Sequence, residues 1–248
     1  MRLESSNPAL AVARNQAGSF NFGGEALAAT ISGTTSKAIL LVAITLIVGA
    51  FTMNYTIDSI LYSGQVPSSL MTLSVIAGVI VAFVTIFKPN LAPITAPIYA
   101  VLEGAALGSL SALFEFKYPG IVTTAVMSTF VVVMCMLGLW KFKVIVPTQK
   151  FKAVITGAVM GICVLYVINM IVSLFGGSFL PNSGPLSILI SLIVCTVAAL
   201  SLILDFDNIE QSVNAGLPKY FEFYNAFSIL VTICWLYVEI LKLLSKRE

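Results

Sequence analysis

The sequence predicts an all-α integral membrane protein with seven transmembrane helices, and three observations carry that expectation. Of 248 residues, 58% are hydrophobic and only 10% charged, against about 25% charged in an ordinary soluble domain. Seven apolar runs are long enough to cross a hydrocarbon core, which takes about 20 helical residues. The connections between them are short, so the runs form one bundle rather than separate domains. At membrane depth backbone N–H and C=O groups must be satisfied within their own segment, and runs of this length meet that demand as helices.

Residues 1–36 are polar and rich in Gly, Ser, Asn and Ala, and their first part, MRLESSNPALAVARNQAGSFNFGG, has no sustained period. They are expected to form a mobile N-terminal segment, with the seven-helix domain at 37–248. No short apolar stretch with a small-residue cleavage site precedes the first run, so the first helix is expected to act as the insertion signal. The runs are 38–56, 69–87, 93–114, 120–140, 153–175, 185–206 and 221–245. Between them YSGQVPSS, KPNLAP, KYPG and GGSFLPNSGP carry Gly and Pro breakers, which are loop signals. KFKVIVPTQKFK, at 141–152, is the most basic connection. It reads as a topology determinant that could also lie against anionic headgroups. Gly104 and Gly108 in the third run, and Gly157 and Gly161 in the fifth, have the four-residue spacing that lets helix backbones approach closely, and they read as packing positions.

Orientation follows from Lys and Arg. The side on which the first helix starts, here the proximal side, carries Arg2, Arg14, Lys37, Lys88, Lys141, Lys143, Lys150, Lys152 and Lys219. The distal side carries Lys117, Lys242, Lys246 and Arg247. Nine of the 13 basic residues against four favour a cytoplasmic N-terminus. Cys135, Cys163, Cys195 and Cys234 all fall inside runs, where a free Cys packs as a small hydrophobe.

Ionisable residues at bilayer depth cost several kcal/mol, which makes each a functional candidate. Glu103 lies near the middle of the third run and Asp205 in the last turn or two of the sixth. Glu222 begins the seventh, and Glu239 lies two-thirds along it. Asp205 and Glu222 flank one short connection and are expected at similar depth, where a proton shared between two carboxyls would make the pair respond to pH. Glu239 lies 17 residues beyond Glu222, about 25 Å along a helix, so a straight seventh helix cannot bring both to Asp205. Glu239 has Lys242 at i+3 as an ordinary helix partner. Asp207 and Glu210 are expected to face the interface and water. Lys88 and Lys219 read as interfacial anchors able to pair with the proximal acids.

Histidine is absent, so any response to pH near neutrality falls to carboxylates. The same absence excludes a zinc protease motif and a Ser-His dyad. LILDFDNIE, around Asp205, lacks the Gly-rich setting of intramembrane aspartyl chemistry. No nucleotide-binding loop occurs, and no basic stripe with interleaved aromatics suggests nucleic acid. The chain is therefore not expected to be an enzyme or to hold a cofactor.

GTTSKAILL (33–41), PIYAVLEGAALGSLSALFEFKYPGIV (97–122) and LILDFDNIEQSVNAGLPKYFEFYNAFSILVTICWLYVEILKLL (202–244) together resemble the bacterial branch of the Bax inhibitor-1 family, the transmembrane Bax inhibitor motif family, over essentially the whole chain after residue 30. The resemblance implies six helices around a central, apolar seventh. It also implies a pH-sensitive calcium leak channel of the bacterial plasma membrane, with a role in calcium homeostasis. In it an acidic pair on the last two helices acts as a proton-controlled latch. Asp205, in LDFDNI, matches the first acid of the latch, with Leu204 where the family usually has Tyr. Glu239, through LYVEILKLL, and Glu222, through YFEFYNAF, both match the second; depth favours Glu222 and motif context Glu239. Glu103 matches an acid of several eukaryotic relatives. In this reading the partners are calcium, protons and the lipid bilayer, and ionised Asp205 and Glu222 would be transient oxygen ligands for the permeant calcium. Two other readings use the same features: a membrane-embedded regulator, for example of a membrane protease, without ion flux, and a proton-coupled cation exchanger.

Overall fold

The computed structural model describes residues 28–247 apart from 178, 180, 182 and 183. Seven helices long and apolar enough to cross a membrane follow in order: α1 (Ile31–Ser63), α2 (Ser68–Phe87), α3 (Ala92–Lys117), α4 (Ile121–Lys141), α5 (Gln149–Leu174), α6 (Pro185–Asn214) and α7 (Phe221–Ser245). A 3₁₀ turn, Pro89–Leu91, leads into α3.

The helix ends follow from local chemistry. Thr30 caps α1 by accepting the Gly33 N–H at 2.9 Å, and α1 stops where Gly64 takes a left-handed φ of 66°, a conformation glycine adopts without a Cβ penalty. Thr148 caps α5 in the same way through the Phe151 N–H. The start of α4 is capped from the preceding helix, since the Glu115 carboxylate accepts the Gly120 and Val122 N–H groups at 2.6 and 3.0 Å.

Two boundaries correct the sequence reading. α1 begins at Ile31 rather than 38, so residues 28–36 belong to the folded unit: the Ala29 N–H donates to Leu217 O at 2.8 Å. The rest of the expected N-terminal segment lies outside the described residues. α6 runs on to Asn214 instead of ending near 206. Its polar last turns stay helical because Lys152 pairs with Asp207 and Lys143 with Glu210.

α7 occupies the centre. It packs directly against α1, α3, α4 and α6, and α5 reaches it through Tyr166; α2 leans on α3. Fourteen residues of α7 are buried, Leu230, Leu236 and Leu241 almost completely. The tight α1–α3 contact has a simple cause. Ala92, Ala96, Ala100, Gly104, Gly108 and Ala112 recur every four residues and are all buried, giving α3 a smooth small-residue face. A Cβ on Gly104 would lie 2.7 Å from Thr45 O, and one on Gly108 would strike Thr52 Oγ1 and Gly49 O. Thr45 Oγ1 also donates to Ala100 O at 3.1 Å across that contact. Gly157 and Gly161, by contrast, face open space, so the second pair contributes no packing within the chain. All four cysteines are free, Cys234 buried and Cys135 and Cys163 exposed.

Candidate functional site

The centre of the candidate site is Asp205, on α6 and 8% exposed. Its Oδ1 accepts from Ser228 Oγ and its Oδ2 from Thr232 Oγ1, each at 2.6 Å. Ser228 and Thr232 stand at i and i+4 on α7, so both hydroxyls point from one face of the central helix. Asp205 has no salt-bridge partner among the described residues.

The expected meeting of Asp205 with Glu222 does not occur. Because α6 continues to Asn214, Asp205 lies nine residues inside its end, about 13 Å at 1.5 Å per residue. Glu222 stays at the second residue of α7. The two flank the same connection in sequence but not in depth. Glu222, almost fully buried, instead accepts from the Thr30 N–H and Thr30 Oγ1, both at 2.9 Å, and pairs with Lys37. Gly33 leaves room for that carboxylate, since a Cβ there would coincide with it. The Lys37 ammonium also lies 5.1 Å from the Phe223 ring centre. Glu222 is thus the anchor that ties the start of α1 to the start of α7.

Glu239 does not meet Asp205 either. It is 1% exposed, and its Oε1 accepts from Tyr166 Oη of α5 at 2.9 Å and from Lys242 Nζ at 3.0 Å. The i+3 pair anticipated from sequence is therefore present, with Tyr166 added. Glu103 sits apart. It lies one helical turn from Tyr99 on α3 and borders a cleft of about 260 Å³ formed with Met71, Val75 and Val79 of α2 and Val238 of α7.

Asp207 is less exposed to water than expected, at 16%, and is held by Lys152 and Gln211. Glu210, at 38%, pairs with Lys143 at 3.2 Å. The α4–α5 connection and the first turn of α5 are therefore tied to the end of α6. Lys88 and Lys219 form no ion pair among the described residues, and Lys37 takes the pairing role expected of them. No group of three His, Cys, Asp or Glu that could hold a metal occurs among the described residues.

Together these contacts define a stripe along α7. Glu222, Asn225, Ser228, Thr232 and Glu239 follow at steps of three, four or seven, one face of a helix. The stripe spans about 25 Å, close to the hydrocarbon thickness of about 30 Å. Buried Asn225 Nδ2 lies on it without a hydrogen-bond partner among the described residues. Between Thr232 and Glu239 the polar sequence is broken by Trp235 and by Leu236, which is 1% exposed. Ser228, Thr232, Tyr166, Thr30 and Lys37 were not singled out from sequence. Hydroxyls at 228 and 232, four apart in an otherwise apolar run, were the available signal; the others depend on contacts 73 to 192 residues apart.

Comparison with curated proteins and with solved structures finds no match. The sequence profile of the family described as Bax inhibitor 1 like matches residues 6–248. With seven membrane-spanning helices and that match over almost its full length, the chain belongs to the Bax inhibitor 1-like family of multi-pass membrane proteins.

Proposed function

We propose that the protein is a pH-sensitive leak pathway for calcium, with Asp205 as the group that senses the proton. The observation that carries this reading is a carboxyl deep in a bilayer-spanning bundle whose two oxygens are both held by hydroxyls of the central helix. A structural acid at that depth is expensive unless it serves a polar path. The stripe on α7 supplies such a path on either side of it.

Ionised Asp205 offers oxygen ligands to a hard cation, while Ser228 and Thr232 keep both oxygens aligned. Protonation removes the charge that draws the cation in, so flux falls as pH falls. The latch is then a carboxylate held by two hydroxyls rather than a pair of carboxyls. Glu222 and Glu239, each neutralised by a lysine, mark the two ends of the stripe. A site with a single unpaired carboxylate suits a leak, because an ion that is to pass must bind weakly enough to leave. Leu236 and Trp235 form the dry stretch of the closed path. The lysine distribution supports a cytoplasmic N-terminus, and the family resemblance supports a bacterial plasma membrane.

The test is calcium entry into liposomes loaded with a calcium indicator, between pH ~5 and ~8, for the parent, Asp205→Asn, Glu222→Gln and Glu239→Gln. Entry that rises with pH in the parent and loses its pH dependence in Asp205→Asn is the expected result. Entry no greater than in protein-free liposomes at every pH, with the protein folded, would refute the leak. A pH dependence unchanged in Asp205→Asn would refute the role of Asp205.

A further inference from the structure

At the distal ends of α3 and α7, a second cleft of about 540 Å³ is lined by Lys117, Lys242, Lys246, Tyr118, Ser245 and Gly184. Three lysines, at the ends of α3 and α7, thus border one open space. We propose that this cleft binds a phosphate group, that of an anionic phospholipid in the distal leaflet or of a soluble phosphate compound.

The lysines are placed rather than merely present. Lys117 lies 5.1 Å from the ring centre of Tyr118, and Lys242 lies 5.0 Å from that of Tyr166, contacts that fix an ammonium over an aromatic face. Lys246 Nζ reaches across to α6, donating to Ser187 O at 3.2 Å and Ser191 Oγ at 2.7 Å. The nearby acids leave the cleft positive. Glu239 balances Lys242, and both oxygens of Glu115 are occupied by the start of α4. Lys117 and Lys246 have no carboxylate partner among the described residues.

The start of α6 also borders the cleft. Its first residue follows Gly184, which lines the cleft, and no side chain caps that end among the described residues. The start of a 30-residue helix therefore lies beside the cleft. Burial pulls the Lys246 ammonium below its ordinary range, and the like charge of Lys242 adds to the effect against the opposing pull of Glu239. An anion in the cleft would offset both costs. The volume falls in the range of small-ligand sites, about 300–1,000 Å³, and tyrosines at a helix end mark headgroup depth.

The experiment is native mass spectrometry of the full chain in detergent, titrated separately with short-chain phosphatidylglycerol, short-chain phosphatidylcholine and inorganic phosphate. It compares the parent, Lys117→Gln/Lys246→Gln and the proximal control Lys88→Gln/Lys219→Gln. A lipid headgroup site predicts that phosphatidylglycerol binds more tightly than phosphatidylcholine, and that the cleft variant loses about thirty-fold in affinity, the value for two lysines near a membrane surface. Binding of inorganic phosphate with the same sensitivity, and no preference between the lipids, would support the cleft and assign it to a soluble phosphate. Equal affinity of the parent and cleft variant for all three ligands would overturn the proposal. Lys117→Gln alone, at an exposed side chain, gives the same test if the double variant fails to fold.

Discussion

Lys37→Met is the sharpest test of how the proximal end is held. Glu222 is 2% exposed at its side chain and Lys37 19%, so the substitution leaves a buried carboxylate without its counter-charge. Breaking a buried pair from one side costs about 3–5 kcal/mol. The lower end applies here, because two hydrogen bonds from Thr30 persist and Glu222 lies in the first turn of α7. Glu222→Gln should cost less, about 1–2 kcal/mol, since its amide oxygen can still accept from Thr30. The double variant should then be little worse than Glu222→Gln alone, a coupling of about 3 kcal/mol, at the upper end of the range for contacting residues. The Lys143 and Glu210 pair, 58% and 38% exposed, serves as the contrast and should couple by less than about 1 kcal/mol. Equilibrium unfolding in mixed micelles of increasing dodecyl sulfate content, followed by circular dichroism, measures all of these. A Lys37–Glu222 coupling below about 0.5 kcal/mol would refute the view that this ion pair ties α1 to α7.

Two further outcomes follow from the packing. Gly104→Ala should destabilise by about 1–3 kcal/mol, because its Cβ meets the α1 backbone and overpacked contacts carry that cost, whereas Gly157→Ala, facing open space, should be neutral or gain up to about 1 kcal/mol of helix propensity; the same unfolding assay compares them. Tyr166→Phe removes a hydroxyl donor from buried Glu239 and should cost about 1.5–3 kcal/mol, the range for hydrogen bonds to charged groups, read as a lower unfolding midpoint without a change in the calcium leak at any pH.

The apolar runs could be located to within a few residues because lipid imposes a one-dimensional demand: about 20 apolar residues whose backbone groups bond among themselves. The polar margins escaped that logic. Residues 31–37 are helical because Thr30 supplies a cap and Glu222, 192 residues away, supplies the carboxylate that Thr30 and Lys37 require. The extension of α6 past 206 likewise depends on Lys143 of the α4–α5 connection and Lys152 of the first turn of α5. Composition marks such turns as polar without stating that distant charges make them stable.

The candidate acids show the same division. That Asp205, Glu222 and Glu239 sit in membrane helices and therefore carry a cost is a property of the sequence itself, since hydropathy and burial in lipid act on each segment alone. Which of them meet was decided by the tertiary structure. A difference of eight residues in where α6 ends moved Asp205 more than 10 Å from Glu222 in depth and placed it against Ser228 and Thr232 instead. A pairing between helices depends on their relative register, and register is set by side-chain packing and caps that draw on the whole chain at once.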